Sequence, residues 1–265
     1  MAKLQPQPIL ASDISEYLAE QDDFALELRS IRRAHEFGFR YSHAGTYEDP
    51  VTGKPRQYDI RAVYSKGACT VYLAMECKSL QKNCPLVVSC VPRTAAESYH
   101  DRIEGWPNHI PPLKVPRSAN SLLYPAGVPV GKSTAQIGRT SQGWTANDAD
   151  THDKWAQAMT SAHALVQRSA TPPGGRVNHL EKAVIIPVLV VSDETLWTVD
   201  YDDDGRVSSG PSLVDETVLY VGRGYEVYNV PFFVSHLHFC TEKGLGQLLA
   251  RVSQDDDWWK MAFER

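Results

Sequence analysis

Asp59, Glu76 and Lys78 are two carboxylates and an ammonium placed so that they could act on one phosphate. Across residues 70–78, apolar Val71, Leu73, Met75 and Cys77 alternate with Tyr72, Ala74, Glu76 and Lys78. The two-residue period of a strand therefore sets Glu76 and Lys78 on one face, beside the small Ala74, while the opposite face is apolar throughout. Ser65, Lys66 and Gly67 form a turn signal between this strand and the run 57–64. Antiparallel pairing through that turn would bring Asp59, on the earlier strand, beside Glu76. Mg2+, or Mn2+ in its place, takes one or two protein carboxylates and completes its shell with water and phosphate oxygens; a bound water then becomes more acidic and phosphate charge is offset. A lysine suits the remaining task, orienting or deprotonating the attacking water and stabilising transition-state charge. Together these groups are the set that phosphodiester hydrolysis needs.

The elements that must position them can be read on either side. Residues 14–37 are helical in pattern, with Ile14, Leu18, Phe24, Leu28 and Ile31 at helical intervals and a break near 21–23. Ser12 or Asp13 is a candidate first cap and Asp22 or Asp23 a second, and Gly38 supplies the stop. Phe39, Tyr41 and His43 begin an alternating strand, and the turn formers of residues 48–55 make a long hairpin before the run that holds Asp59. A further apolar run covers 86–91. Residues 92–150, with seven prolines and little periodicity, read as an insertion or lobe that could contact substrate. Residues 151–170 form a helix with the stripe Trp155, Met159, Ala162 and Val166, ended by the Pro-Pro-Gly-Gly of 172–175. The unbroken apolar run 183–191 is a buried central strand; 196–201 leads into a turn at 203–205, and 218–221 and 227–234 are shorter strands. The fold expected is α/β, a single domain over 1–265 with a mixed central sheet flanked by helices.

Asp59 followed by Glu76-Cys77-Lys78, with a helix before and a helix and a strand after, resembles the PD-(D/E)xK nucleases, the restriction-endonuclease-like superfamily. The resemblance covers roughly residues 24–191, with Tyr58 standing where the name-giving proline would be. It implies a restriction-endonuclease-like core and a metal-dependent nuclease, with DNA the expected substrate and Mg2+ or Mn2+ held by Asp59 and Glu76. It further implies a glutamate from the first helix at the metal, Glu27 ahead of Glu36, and a polar residue from the later helix facing the site, Gln157 or Lys154. The hairpin of 48–59 is similar to the one that leads into the catalytic aspartate in several of these nucleases. Many of them work as dimers, so a homodimer or a partner protein is an expected association.

Composition sets outer bounds. The chain is 42% hydrophobic and 22% charged, and no stretch approaches the roughly 20 apolar residues of a membrane span, so a soluble, cytoplasmic protein is expected. Five cysteines without a C-x-x-C pair argue for free thiols over disulfides or a zinc ribbon. Net charge is −5, yet residues 29–66 hold eight basic against four acidic side chains, and 193–216 hold eight acidic and one arginine. The basic stretch is the candidate face for a polyanion. Gly131-Lys-Ser-Thr134 lacks the earlier glycine of a P-loop, although Lys132 or Arg139 could touch phosphate. His236 and His238 share a strand face without an evident third metal ligand, and the aspartates of 200–204 lack calcium-loop spacing. Trp258 and Trp259 either complete a core or stack on a partner. Two rivals to a nuclease follow: a catalytically silent nuclease fold that binds nucleic acid or protein, and an assembly protein that uses its acidic third and its tryptophans and needs no metal.

Overall fold

The computed structural model describes residues 6–20, 22–105, 113–146, 149–170 and 181–264. Two helices come first, α1 (Ala11–Glu20) and α2 (Asp23–Glu36). Strand β1 (Arg40–His43) is followed by a small hairpin of β2 (Thr46–Glu48) and β3 (Pro55–Gln57), and by a long one of β4 (Ile60–Lys66) and β5 (Cys69–Lys78). Next come β6 (Leu86–Pro92), the short strands β7 (Tyr99–Asp101), β8 (Ile103–Gly105), β9 (Leu113–Lys114) and β10 (Arg117–Ala119), and then β11 (Pro129–Thr140) and β12 (Gly143–Ala146). Helix α3 (Ala149–Ala170) precedes β13 (Glu181–Val191), β14 (Leu196–Asp200), β15 (Ser212–Leu213), β16 (Glu216–Val227) and β17 (Val230–Thr241). Helices α4 (Glu242–Gln254) and α5 (Asp256–Phe263) close the described chain.

These elements make an α/β fold around a large mixed sheet, whose main path runs β1-β4-β5-β13-β17-β16-β11-β6-β14-β15. Strands β1, β4 and β5 are an antiparallel meander, and β13 lies parallel to both β5 and β17. A parallel central strand is covered on both faces, which is why residues 183–191 of β13 are apolar without interruption. One face of β5, Val71, Leu73, Met75 and Cys77, packs with Leu26, Ile31 and Ala34 of α2 and with the apolar sides of α4 and α5. The other face meets α3, whose Met159, Ala162 and Val166 are fully buried with Ala74. Burying Met159 and Val166 contributes about 1.5–3 kcal/mol each. The sheet thus separates two cores, and Glu76 belongs to the α3 side.

Local signals account for the element ends. Asp22 caps α2 by accepting from the Ala25 amide at 2.8 Å, and Gly38 at φ +78° allows the chain to leave the helix. Gly67 at φ +59° turns β4 into β5. Of the expected apolar stripe of 14–37 only Ile31 found the core: Ile14, Leu18, Phe24 and Leu28 are each about half exposed, and Leu26 and Ala34 are buried beside Ile31 instead. Helical spacing tells which residues share a face, and only packing decides which face turns inward. Similarly, 227–234 is no single strand, because Tyr228 and Asn229 both have positive φ and form the tight turn between β16 and β17. Of the segment 92–150, β11 joins the large sheet between β6 and β16. The Pro-Pro-Gly-Gly of 172–175 lies outside the described residues. Among the described residues, no helix is long and apolar enough to cross a membrane.

Candidate active site

Register brings the two acids together. Ile60 pairs with Met75 at the end of the β4–β5 ladder, so Asp59 stands opposite Glu76. Asp59 itself lies in a bend immediately before β4 and not within a strand. The bend is tied to the loop after β1 by Ala44 N donating to Asp59 O at 2.9 Å and Tyr58 N donating to Gly45 O at 3.0 Å. A Cβ at position 45 would collide with the Tyr58 hydroxyl, so this close approach requires glycine. The Asp59 carboxylate is oriented by the Cys77 amide, 2.9 Å from Oδ2. Glu76 is fully buried beneath α3, and its Oε1 accepts from the Asp59 amide at 3.4 Å.

Lys154, in the first turns of α3, completes the group. Its Nζ donates to Asp59 Oδ2 at 2.8 Å and lies 3.7 Å from Glu76 Oε2. Burial pushes the Glu76 carboxyl up to about 9, the adjacent Asp59 charge adds to the rise, and Lys154 opposes it. Glu76 therefore keeps its proton at neutral pH. Burial acts to lower the Lys154 ammonium, but the hydrogen bond and charge of Asp59, with the charge of Glu76, outweigh it and the net direction is upward. Glu76 Oε2 is buried and has no hydrogen-bond partner among the described residues. With Glu76 protonated, the Asp59 carboxylate and the Lys154 ammonium balance in charge, and Glu76 Oε2 is the buried polar atom left without a hydrogen bond among the described residues.

The remaining expected residues are spread around this centre. Lys78 ends β5 and pairs with Asp23 of α2 at 3.1 Å, while Asp23 also accepts from the Ser79 amide at 2.6 Å. The ammonium that touches the two acids is thus that of Lys154. Glu27 pairs with His43 at 2.8 Å. Burial raises its carboxyl, the His43 contact opposes this, and the Asp59 charge adds to it, which puts Glu27 within electrostatic reach of the centre. Glu36 is turned to the surface with Arg32 and Arg33. Gln157 is half-buried on α3 and hydrogen-bonds to neither acid among the described residues. Lys154 had a detectable signal: with Ala158, Ser161 and Leu165 it continues the buried stripe of α3 at helical intervals. Asp23 and His43 had none beyond their place in a cap and a strand.

A buried and a part-buried carboxyl group facing one another, one of them with an oxygen that makes no hydrogen bond among the described residues, fit a hard divalent cation that draws one or two carboxylates from the protein. No cluster of three or more His, Cys, Asp or Glu side chains surrounds a common metal position among the described residues. Glu27 is paired with His43 at the margin of this arrangement, and Asp59 and Glu76 are the carboxyl groups at its centre. The basic stretch is largely neutralised within the chain: Arg29 pairs with Glu242 at 2.6 Å, Arg56 with Asp49 at 3.2 Å, and Lys66 with Asp256. Arg61 is buried beneath α3. The sequence 131–134 lies within β11, where Lys132 pairs with Glu97; Arg139 stacks on Trp144. Trp258 and Trp259 are buried in the core, which removes them as an exposed interface, and the five cysteines are free thiols. Comparison with protein-family models, curated proteins and solved structures finds no match to this chain.

Proposed function

We propose that this protein is a metal-dependent nuclease of the PD-(D/E)xK type, hydrolysing phosphodiester bonds with DNA as the expected substrate. The observation that carries the reading is the meeting of Asp59 and Glu76 in register at the end of the β4–β5 ladder, with a lysine ammonium between them. The order of elements supports it: α2, the antiparallel strands β1, β4 and β5, then α3 and a strand parallel to β5. It agrees with the helix before and the helix and strand after that the resemblance to restriction-endonuclease-like proteins implies.

Asp59 and Glu76 would hold Mg2+ or Mn2+, which when bound supplies a more acidic water and a counter-charge for the phosphate. The protein's own groups do the rest. The Cys77 amide fixes the Asp59 carboxylate, and burial keeps bulk water from the Glu76 side. Glu76 would act there as the ionised carboxylate, the form that a nearby positive charge favours. Lys154, beside the acids, would donate to a phosphate oxygen or orient the attacking water. Lys78, held by Asp23, serves as a charge further along the same sheet end.

A second reading, a silent nuclease fold that binds without cutting, is favoured by one observation: Lys154 already spans the acids as an internal counter-ion. The two separate in one assay. Supercoiled plasmid, linear duplex, single-stranded DNA and RNA are incubated with protein in Mg2+, Mn2+ or EDTA, beside Asp59→Ala. Metal-dependent cutting lost in the variant is the expected result. Failure to cut any substrate, together with no Mn2+ binding by calorimetry, would overturn it in favour of the silent fold.

A further inference from the structure

We infer that the cleft beside the acids, between the β2–β3 hairpin, the C-terminal half of α3 and the β16–β17 turn, is a subsite that holds one nucleic-acid strand by its phosphates. The inference rests on the nuclease reading and names where the substrate strand runs. The cleft has a volume of about 630 Å³, and Tyr47, Arg61, Arg168 and Tyr228 are among the side chains that line it. Arg61, the second residue of β4, is two residues past Asp59, so the wall of the cleft that it lines begins next to the acids along the chain. On α3, Ser161 is about 10 Å beyond Lys154 at 1.5 Å per residue, which is a spacing of one to two nucleotides.

Arg61 is the informative residue. It is only 6% exposed, yet among the described residues it has no carboxylate at ion-pair distance. Its Nε donates to Ser161 Oγ at 3.1 Å and its Nη2 to Ser161 O at 3.4 Å, and its guanidinium lies 4.2 Å from the Tyr58 ring centre and 4.9 Å from that of Tyr47. A buried charge without a partner is costly, and one that also lines an open cleft is satisfied when an anion enters. Arg168, exposed on the same wall, has the same sign and acts unfavourably on Arg61. Two arginines that line one cleft, neither paired there with a carboxylate among the described residues, make a site for an anion. Tyr47 places a buried hydroxyl with no hydrogen-bond partner in the same lining, a further donor for a phosphate oxygen. Glu48 is the acidic member among the described lining residues and is exposed at the rim. The cleft's aromatic rings and arginines together are the combination that grips single strands, with rings for bases and cations for the backbone.

The test is binding without cutting. Fluorescein-labelled single-stranded 12-mer DNA is titrated with full-length protein in EDTA, at several salt concentrations, and anisotropy is read. Arg168→Glu, which alters only an exposed side chain, should weaken binding at least about tenfold, and Arg168→Ala should lower the salt slope by about 0.7. Arg61→Met should weaken it more, with its fold checked by circular dichroism. Arg40→Ala, an exposed arginine elsewhere, should bind as wild type, and inorganic phosphate should compete weakly. Wild-type affinity and salt slope in both Arg168 variants would overturn the inference, whether or not the protein cuts. Lost binding in these variants with no cutting by wild type would keep the subsite and remove the nuclease reading.

Discussion

Two buried clusters of ionisable side chains flank the central strands, and they differ in how completely their polar atoms are satisfied. On the β17 side, Arg93 Nε donates to His236 Nε2 at 3.1 Å and Arg93 Nη1 to Pro125 O at 2.8 Å. The His236 ring stacks on Tyr124 with centroids 3.9 Å apart, and the Tyr124 hydroxyl lies 2.9 Å from His238 Nε2. His100 meets Ser121 at 2.7 Å and the Ala262 carbonyl at 2.9 Å. On the α3 side, Glu76 retains an unpartnered oxygen, and Asp59 shares one ammonium with it. A closed polar network holds structure, whereas an open one, costly to keep, marks a place where a ligand completes the set. The paired histidines of one strand face are therefore framework, and the paired acids are the candidate site.

The largest expected contrast is in activity. Asp59→Ala should reduce plasmid cutting in Mg2+ by at least about 10³-fold, while Tyr124→Phe, in the closed cluster, should cut as wild type. Equal losses in the two variants would erase the distinction between site and framework. Next in size, Lys154→Met should cost about 10²-fold in single-turnover rate and Lys78→Met about tenfold or less, because only Lys154 touches the acids. The reverse order would return the catalytic role to Lys78.

The clusters also pull stability in opposite directions with pH. Glu76 has a folded pKa of about 9 against 4.5 in the unfolded chain, so its contribution is complete below 4.5 and is lost as pH rises toward 9. His236 and His238 are lowered by burial first, to about 2 and about 3 against 6.5. Their contribution is complete above 6.5 and is lost as pH falls. Below 6.5 two histidines outweigh one glutamate, and above it the glutamate acts without them. The melting temperature in EDTA should therefore peak near pH 6.5, and Glu76→Gln should remove the decline on the alkaline side while leaving the acid side intact. Differential scanning fluorimetry between pH 5 and 8 checks this; an unchanged alkaline decline in the variant would show that Glu76 is not its source. The smallest effect is that of Tyr124→Phe on stability, a loss of about 1 kcal/mol or about 2–4 °C for one hydrogen bond to His238.

Much of the fold was legible in the sequence. The alternation of 70–78, the turn at Gly67, the continuous apolar run of β13 and the stripe of α3 each depend on local period and on a few special residues, and each appears where expected. The inner face of α2, the β16–β17 turn and the strands within 92–150 were not legible, since each depends on a distant surface that pairs or packs with it. Of the site, Asp59 beside Glu76 followed from pairing through a short turn, which fixes register within a few residues. Gln157 and Lys154 could not be ranked, because residues three apart are neighbours on one helix face and the sequence does not tell which of them meets the acids.

By itself, then, the sequence determined that two carboxylates would meet at the end of an antiparallel pair, because strand period and turn length are local properties of the chain. Tertiary structure alone decided which lysine joins them, that Glu76 is buried and keeps a proton, and that Arg61 faces a cleft. Those outcomes depend on how α3 and α2 settle on opposite faces of the sheet, and burial and charge proximity exist only once distant segments have packed.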